Sequence, residues 1–427
     1  MAFLVAADVP PEALETMRLC LFDWAMCAIA GAGEPVAEIV RALVTADGGA
    51  PQSSVLGLRE MRVPARAAAF ANGAVSHALD YDDTHFAHIG HPSVVVVSAA
   101  LALAERQGAH GGQLLEAAML GAEVSVRLGQ WLGEAHAARG FHTTATAGAF
   151  GAGAAAARLM GLSVAEMEHM FGILASRASG LSAQFGSMGK PLNAGFAASC
   201  GIEAADLAAT GLQSNAVELG APQGFGSAYD GAGDLTAFAA LGTEWRMRDV
   251  SFKAHACCHG LHAMLNALSA VRLAHQEVDR ITVRTNPGWM NVCALPKPQT
   301  GLEAKFSFSL TAALALAGRN TGALETFSDA ACHDPELVAL RDRVHVVPDP
   351  TLSATQAIVD ISAAGGRAHR LTHDLAVPPP VSEQRRRLDA KAAALLGAPL
   401  AQALAAACFA TEPDVSRLTE YLRQAGT

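Results

Sequence analysis

Ala147-Gly-Ala-Phe-Gly-Ala-Gly-Ala-Ala-Ala-Ala-Arg-Leu-Met-Gly161 is the stretch on which the fold turns. Its closely spaced glycines suggest a nucleotide loop, but that loop needs a strand directly before it. No strand pattern precedes it. Arg139-Gly-Phe-His142-Thr-Thr-Ala-Thr146 stands there instead, with polar residues of the kind that open a helix. The stretch therefore reads as a central helix whose small side chains let neighbouring helices approach closely.

The rest of the chain agrees with that reading. Hydrophobic residues make up 51% of the 427 and aromatics only 5%, a balance that suits helices packed through small side chains. From Pro11 to about Gly242, apolar-periodic segments of helical length alternate with breaks such as Ala46-Asp-Gly-Gly-Ala-Pro51. After Arg248, β-branched runs appear: Ile281-Thr-Val-Arg-Thr285, Val344-His-Val-Val-Pro348 and Ala357-Ile-Val-Asp-Ile361. The last, with Arg367-Ala-His-Arg-Leu371 across Gly365-Gly366, predicts a hairpin, and Phe306 to Ala317 predicts a helix packed on the sheet. Pro378-Pro-Pro380 marks a return to helical patterning. The expected fold class is mainly α. A large all-α helical domain (1–250 plus 379–427) carries a smaller α+β lid domain (251–378), two domains being the natural division of so long a chain.

A net charge of -10 gives no electrostatic footprint for nucleic acid or an anionic membrane surface, so basic residues must act locally. The N-terminus lacks a basic region and cleavage pattern, which predicts a cytoplasmic protein. The apolar run Cys20 to Ala30 is short and contains Asp23, so it reads as a buried helix and not a membrane span. Eight cysteines without a C-x-x-C read as buried thiols, neither a disulfide scaffold nor an iron-sulfur ligand set.

Four constellations can carry chemistry. In Asn72 to Ser93, three aspartates and four histidines precede an apolar helix. If His77 to Asp83 ends a helix, Asp80 shares a face with His77 and Thr84, so that a carboxylate orients an imidazole and a hydroxyl binds a substrate oxygen. Capping by Asp82, Asp83 and Thr84 is the alternative, and a metal site lacks a recognised zinc spacing. Second, His142 and its threonines at a helix start can face an anion. Third, Lys190 sits almost alone among small residues in Ser182 to Gly195, placed for a carboxylate or for proton transfer, with Asn193 close behind it. Fourth, Lys253, His255, His259 and His262 can gather positive charge where the helical domain gives way to the lid; zinc is the rival there, disfavoured because no glutamate follows His255.

Together the motifs resemble the MmgE/PrpD family along nearly the whole chain. They include Leu21-Phe-Asp23, Asn72-Gly-x-x-x-His77-x-Leu-Asp80-Tyr-Asp82-Asp83-Thr84 and His91-Pro-Ser93. Gly121-Ala-Glu-Val-Ser-Val-Arg127, Gly140-Phe-His142-x-Thr144 and Gly189-Lys190-Pro-Leu-x-x-Gly195 follow in register, then Phe252-Lys253 with Cys257-Cys258, and Glu303-Ala-Lys-Phe-Ser307. The resemblance implies a homodimer that binds a small polycarboxylate between its two domains, with no metal and no organic cofactor. By position, it assigns Asp80, Thr84, His91, His142, Lys190 and Lys253 to the pocket. Two departures stand out: Cys258 lies where aconitate decarboxylases have a histidine nearby, and Leu310 replaces a tyrosine that often follows the Ala-Lys-Phe-Ser motif.

Charge logic supplies a mechanism. Removing a proton or carbon dioxide beside a carboxylate leaves an enediolate-like anion, which Lys190, Lys253 and imidazolium groups can stabilise. His142 or His91 is the expected acid-base group, oriented by Asp80, while Thr84, Asn193, Lys253, His255 and His262 bind substrate. The first expectation is dehydration of a 2-methylcitrate-like hydroxy acid. Behind it come cis-aconitate-type decarboxylation and epimerisation of a succinate derivative, and, outside catalysis, a carboxylate-binding protein.

Overall fold

The computed structural model describes residues 1–215, 219–271, 277–363 and 366–426. The chain forms two compact units, Met1–Phe252 with Val381–Thr427, and Lys253–Pro380. It is mainly α with a smaller α+β unit, the fold class read from the sequence.

The first unit is built around the helix Thr143–Met160. Every residue from Thr143 to Ala157 is buried, as expected of a helix covered on all sides. The helices Pro92–Gln107, Gly111–Ala138 and Gly189–Ala209 pack directly on it. Gly151 shows why the stretch is rich in small residues: a Cβ there would lie 2.7 Å from the Gly121 carbonyl oxygen, so the two helices cross with backbones in contact. Gly161, at φ = +66°, then ends the helix in a left-handed cap.

A buried helix, Pro11–Gly31, receives the C-terminal helices Val381–Leu396, Ala398–Cys408 and Val415–Gln424. A short antiparallel pair, β1 (Ser53–Ser54) and β2 (Arg62–Val63), completes this unit. All eight cysteines are free and seven of them are buried. No described helix is long and apolar enough to cross a membrane.

In the second unit, β3 (Val278–Thr285), β4 (Val344–Pro348), β5 (Gln356–Ala363) and β6 (Arg367–Asp374) form one sheet in the order β4-β3-β5-β6. β3 and β4 are parallel and are joined through helices including Phe308–Leu316, the long crossover that parallel pairing requires. β5 and β6 pair antiparallel as the expected hairpin, although Gly365 of its turn lies outside the described residues. Ala357, Val359, Ile361 and Ala363 alternate inward along β5, fixing its register against the helices.

Candidate active site

The helix Ala65–Ser76 stops before the carboxylates begin. His77 is its C-cap, and Asp80 takes φ = +51°, a left-handed conformation through which a helix does not continue. The expectation of Asp80, His77 and Thr84 on one helical face is therefore corrected. It is Asp82 that holds the His77 ring, with Nδ1 2.9 Å from Oδ1 and 3.1 Å from Oδ2. Asp80 instead accepts from the Lys190 ammonium at 2.7 Å and lies 3.4 Å from His91 Nε2. On the opposite edge of the His91 ring, Nδ1 lies 3.0 Å from Asp82 Oδ2. His91 thus stands between two carboxylates.

Exposure grades through the cluster. The side chains of Asp80 and Lys190 are 22% and 14% exposed, His91 is 9%, and His77 and Asp82 are sealed beneath at 0% and 2%. The upper group can meet a ligand, and the lower pair forms its floor. Burial alone would raise the Asp82 carboxyl, yet the His77 and His91 rings hold it well below the usual carboxylate range.

Three of the basic side chains sit at helix starts. His91 is the N-cap of Pro92–Gln107, whose proline at the first position needs no N–H partner. His142 is the N-cap of Thr143–Met160, and Lys190 lies in the first turn of Gly189–Ala209. Neither histidine spends its ring on capping, so both imidazoles are available to the cluster. Helix N-termini carry partial positive charge and favour anions, which adds to the Lys190 ammonium.

Asn193 sets the state of His142. Its Nδ2 donates to the Leu181 carbonyl at 3.2 Å, which fixes the amide orientation, and also lies 3.1 Å from His142 Nδ1. His142 Nδ1 must then accept, leaving the proton of the neutral ring on Nε2. Burial, the Lys190 ammonium and the His77 and His91 rings all push His142 well below the ordinary imidazole value, so the ring is neutral near pH 7. Phe185 covers its edge, with ring centroids 5.0 Å apart, and carries the Lys190 ammonium 5.1 Å above its face.

The four histidines of the 77–91 stretch divide between two jobs. His77 and His91 join the cluster. His85 donates to the Arg246 carbonyl at 2.8 Å, and His88 bonds Ser125 at 3.0 Å with its ring pushed by burial to about 3. Thr84 is half-buried and pairs its backbone with Ser251 in a two-residue antiparallel bridge. His77, Asp80, Asp82 and His91 each offer one atom within 4.8 Å of the others, a spacing a metal ion could span. Among the described residues, however, Lys190 already supplies a cation to Asp80, and both rings already face Asp82.

The remaining candidates belong to the second unit. Lys253 and His262 are buried, and His262 is held well below its ordinary value by burial and by the charges of His259, His255 and Lys253. Both His255 nitrogens are engaged, Nδ1 by Thr321 at 2.7 Å and Nε2 by Asn266 at 3.2 Å. A ligand at His255 would have to displace one of them. Sequence reasoning named Asp80, His91, His142, Lys190 and Asn193, which the first unit draws together; it paired His77 with Asp80 and offered Asp82 as a cap, where the structure pairs the two with each other as the buried floor.

Residues 2–237 match the MmgE/PrpD N-terminal domain and residues 255–408 the MmgE/PrpD C-terminal domain. Among curated proteins, the chain is similar to the human cis-aconitate decarboxylase, 32% identical over 70% of this chain and 64% of that enzyme. The cis-aconitate decarboxylase-like protein oryM of Aspergillus oryzae is 31% identical over 66% of this chain and 61% of its own length. The Aspergillus terreus cis-aconitate decarboxylase is 30% identical, over 64% and 59%. The match thus spans less than two thirds of each relative.

Proposed function

The chain belongs to the MmgE/PrpD family, and from that premise we propose that it is a cofactor-independent lyase acting on a small tricarboxylate through an enediolate-like anion, with decarboxylation of a cis-aconitate-type substrate as the leading reaction. One observation carries the reading. Lys190, His142 and His91 start three helices and meet around Asp80 and Asp82, so cations, helix N-termini and a carboxylate-held imidazole share one place.

In decarboxylation of cis-aconitate, the bond from the methylene carbon to its carboxylate breaks. Its electron pair forms a new terminal alkene, and the former alkene electrons move onto the carbon bearing another carboxylate. Charge collects on that carboxylate's oxygens, where the Lys190 ammonium and the His142 Nε2–H stabilise it. Both donors are fixed beforehand, Lys190 by Asp80 and His142 by Asn193, so little reorganisation opposes the step. His91, held between Asp80 and Asp82, then delivers a proton to carbon. Carbon dioxide leaves, one proton enters, and the charge balances.

Dehydration of a 2-methylcitrate-like hydroxy acid is the second reading, prompted by two departures: Cys258 stands near the place where aconitate decarboxylases have a histidine, and Leu310 replaces a tyrosine that often follows the Ala-Lys-Phe-Ser motif. The same cluster would take a proton beside a carboxylate and expel hydroxide. Thr84, Lys253, His255 and His262 are kept as proposed substrate contacts and the homodimer as the proposed assembly, for which light scattering at twice the chain mass is the check. Incubating the full chain with cis-aconitate, 2-methylcitrate and iminodisuccinate, and identifying products by chromatography, separates the readings. An alkene dicarboxylate with loss of carbon dioxide supports the first; a tricarboxylate alkene from 2-methylcitrate alone replaces it with the second.

A further inference from the structure

Behind the candidate site lies a buried cation that takes no part in the chemistry described above. Lys391, on the helix Val381–Leu396, has a side chain only 2% exposed. Its ammonium donates to Asp23 Oδ1 at 2.7 Å and to the Tyr81 carbonyl at 2.6 Å, and it lies 4.0 Å from the centroid of the Tyr81 ring. Burial opposes its charge, but Asp23, with smaller contributions from Cys27 and Asp82, holds the lysine above its ordinary value.

Tyr81 is the residue between the two carboxylates of the site. It is fully buried, follows the left-handed Asp80 and precedes Asp82. The carbonyl that Lys391 grips belongs to the peptide joining Tyr81 to Asp82, so that hydrogen bond sets the plane from which the Asp82 side chain departs. Asp82 in turn carries both His77 and His91. A single buried ammonium therefore ties the helix Pro11–Gly31, through Asp23, to the short loop that orients two imidazoles.

We propose that Lys391 is a positioning residue for the reaction: anchored by Asp23, it fixes the Tyr81–Asp82 peptide and through it the alignment of His77 and His91. This rests on the cluster being the active site, as proposed above. Lys391 touches no reacting atom. Its effect runs through Asp82, and it comes from the segment that follows the second unit, 310 residues from Tyr81 along the chain.

The test uses the full chain carrying nitrogen-15 histidine, in the wild type, in Lys391→Met and in the double variant Lys391→Met with Asp23→Asn. The single variant leaves Asp23 buried without its partner and is the one at risk of not folding; the double variant removes both charges together. In the folded double variant, the ring signals of His77 and His91 are expected to move, and the downfield proton of the His77–Asp82 hydrogen bond to broaden or vanish. On whichever carboxylate the wild type turns over, kcat is expected to fall by roughly 10–100-fold through misalignment, with KM within about threefold. A folded double variant with wild-type His77 and His91 signals overturns the proposal. The ring signals need no substrate, so their movement in a protein inactive on every carboxylate tried would support the positioning role while rejecting the functional reading.

Discussion

Asp82 and Asp83 are neighbours with opposite fates, and the second offers a sharp test. Asp83 is fully buried, accepts from the Ser93 backbone at 3.3 Å, and is pushed up to about 8 by burial first and then by the charge of Asp23. The folded protein therefore keeps this carboxyl protonated across a range in which the unfolded chain, near 3.8, has released the proton. A folded-state value raised above the unfolded one means that the group's contribution is complete below about pH 4 and is lost as pH rises to about 8. The loss runs at about 1.4 kcal/mol per pH unit, or about 4 kcal/mol by pH 7. Asp83→Asn, a neutral mimic of the protonated acid, has no such slope. It should match the wild type near pH 4 and become progressively the more stable as pH rises, by roughly 1.5–2 °C of melting temperature per unit between pH 5 and 7. A thermal-melting series from pH 4 to 8 on both proteins reads this directly. Other titrating groups act in both chains and largely cancel in the difference. Parallel melting curves across that series, or a variant that weakens relative to wild type with rising pH, would refute the protonated-Asp83 argument.

Other outcomes follow from the same geometry. Lys190→Met deprives Asp80 of its partner and the developing oxyanion of its cation, and steady-state kinetics should show kcat down by about 10²–10³-fold. His142→Ala should lose about 10²-fold or more, whereas Asn193→Leu frees the His142 tautomer and should lower kcat by less, with the protein still folded by circular dichroism. His88, pushed to about 3 by burial, is a lowered group whose stabilisation disappears as pH falls from 6.5 towards 3, so His88→Gln should flatten the acid side of the stability profile in the same melting series. Exhaustive treatment with a chelator should leave turnover within about twofold, because Lys190 and the paired rings already satisfy the Asp80 and Asp82 carboxylates.

The central helix was legible because small residues at close spacing without a preceding strand have few other uses, and burial of every residue from Thr143 to Ala157 agrees with that reading. Lys190 was legible as a lone charge among small residues, and it meets Asp80. What the sequence concealed depends on backbone conformation and distant contact. Nothing in Asp80-Tyr-Asp82 announces φ = +51° at the first aspartate, yet that one torsion decides which carboxylate takes His77. Histidine counting alone could not assign His85 to a carbonyl and His91 to two carboxylates. Nothing local to its helix marks Lys391, because its partner Asp23 lies 368 residues away.

The most direct measurement is proton NMR of the chelator-treated full chain with cis-aconitate in deuterated water. The account predicts one deuterium in the saturated methylene of the product, where the enediolate carbon is protonated, and none in its terminal vinyl group. Deuterium in the vinyl group, or turnover that reappears only when a metal ion is restored, would contradict it.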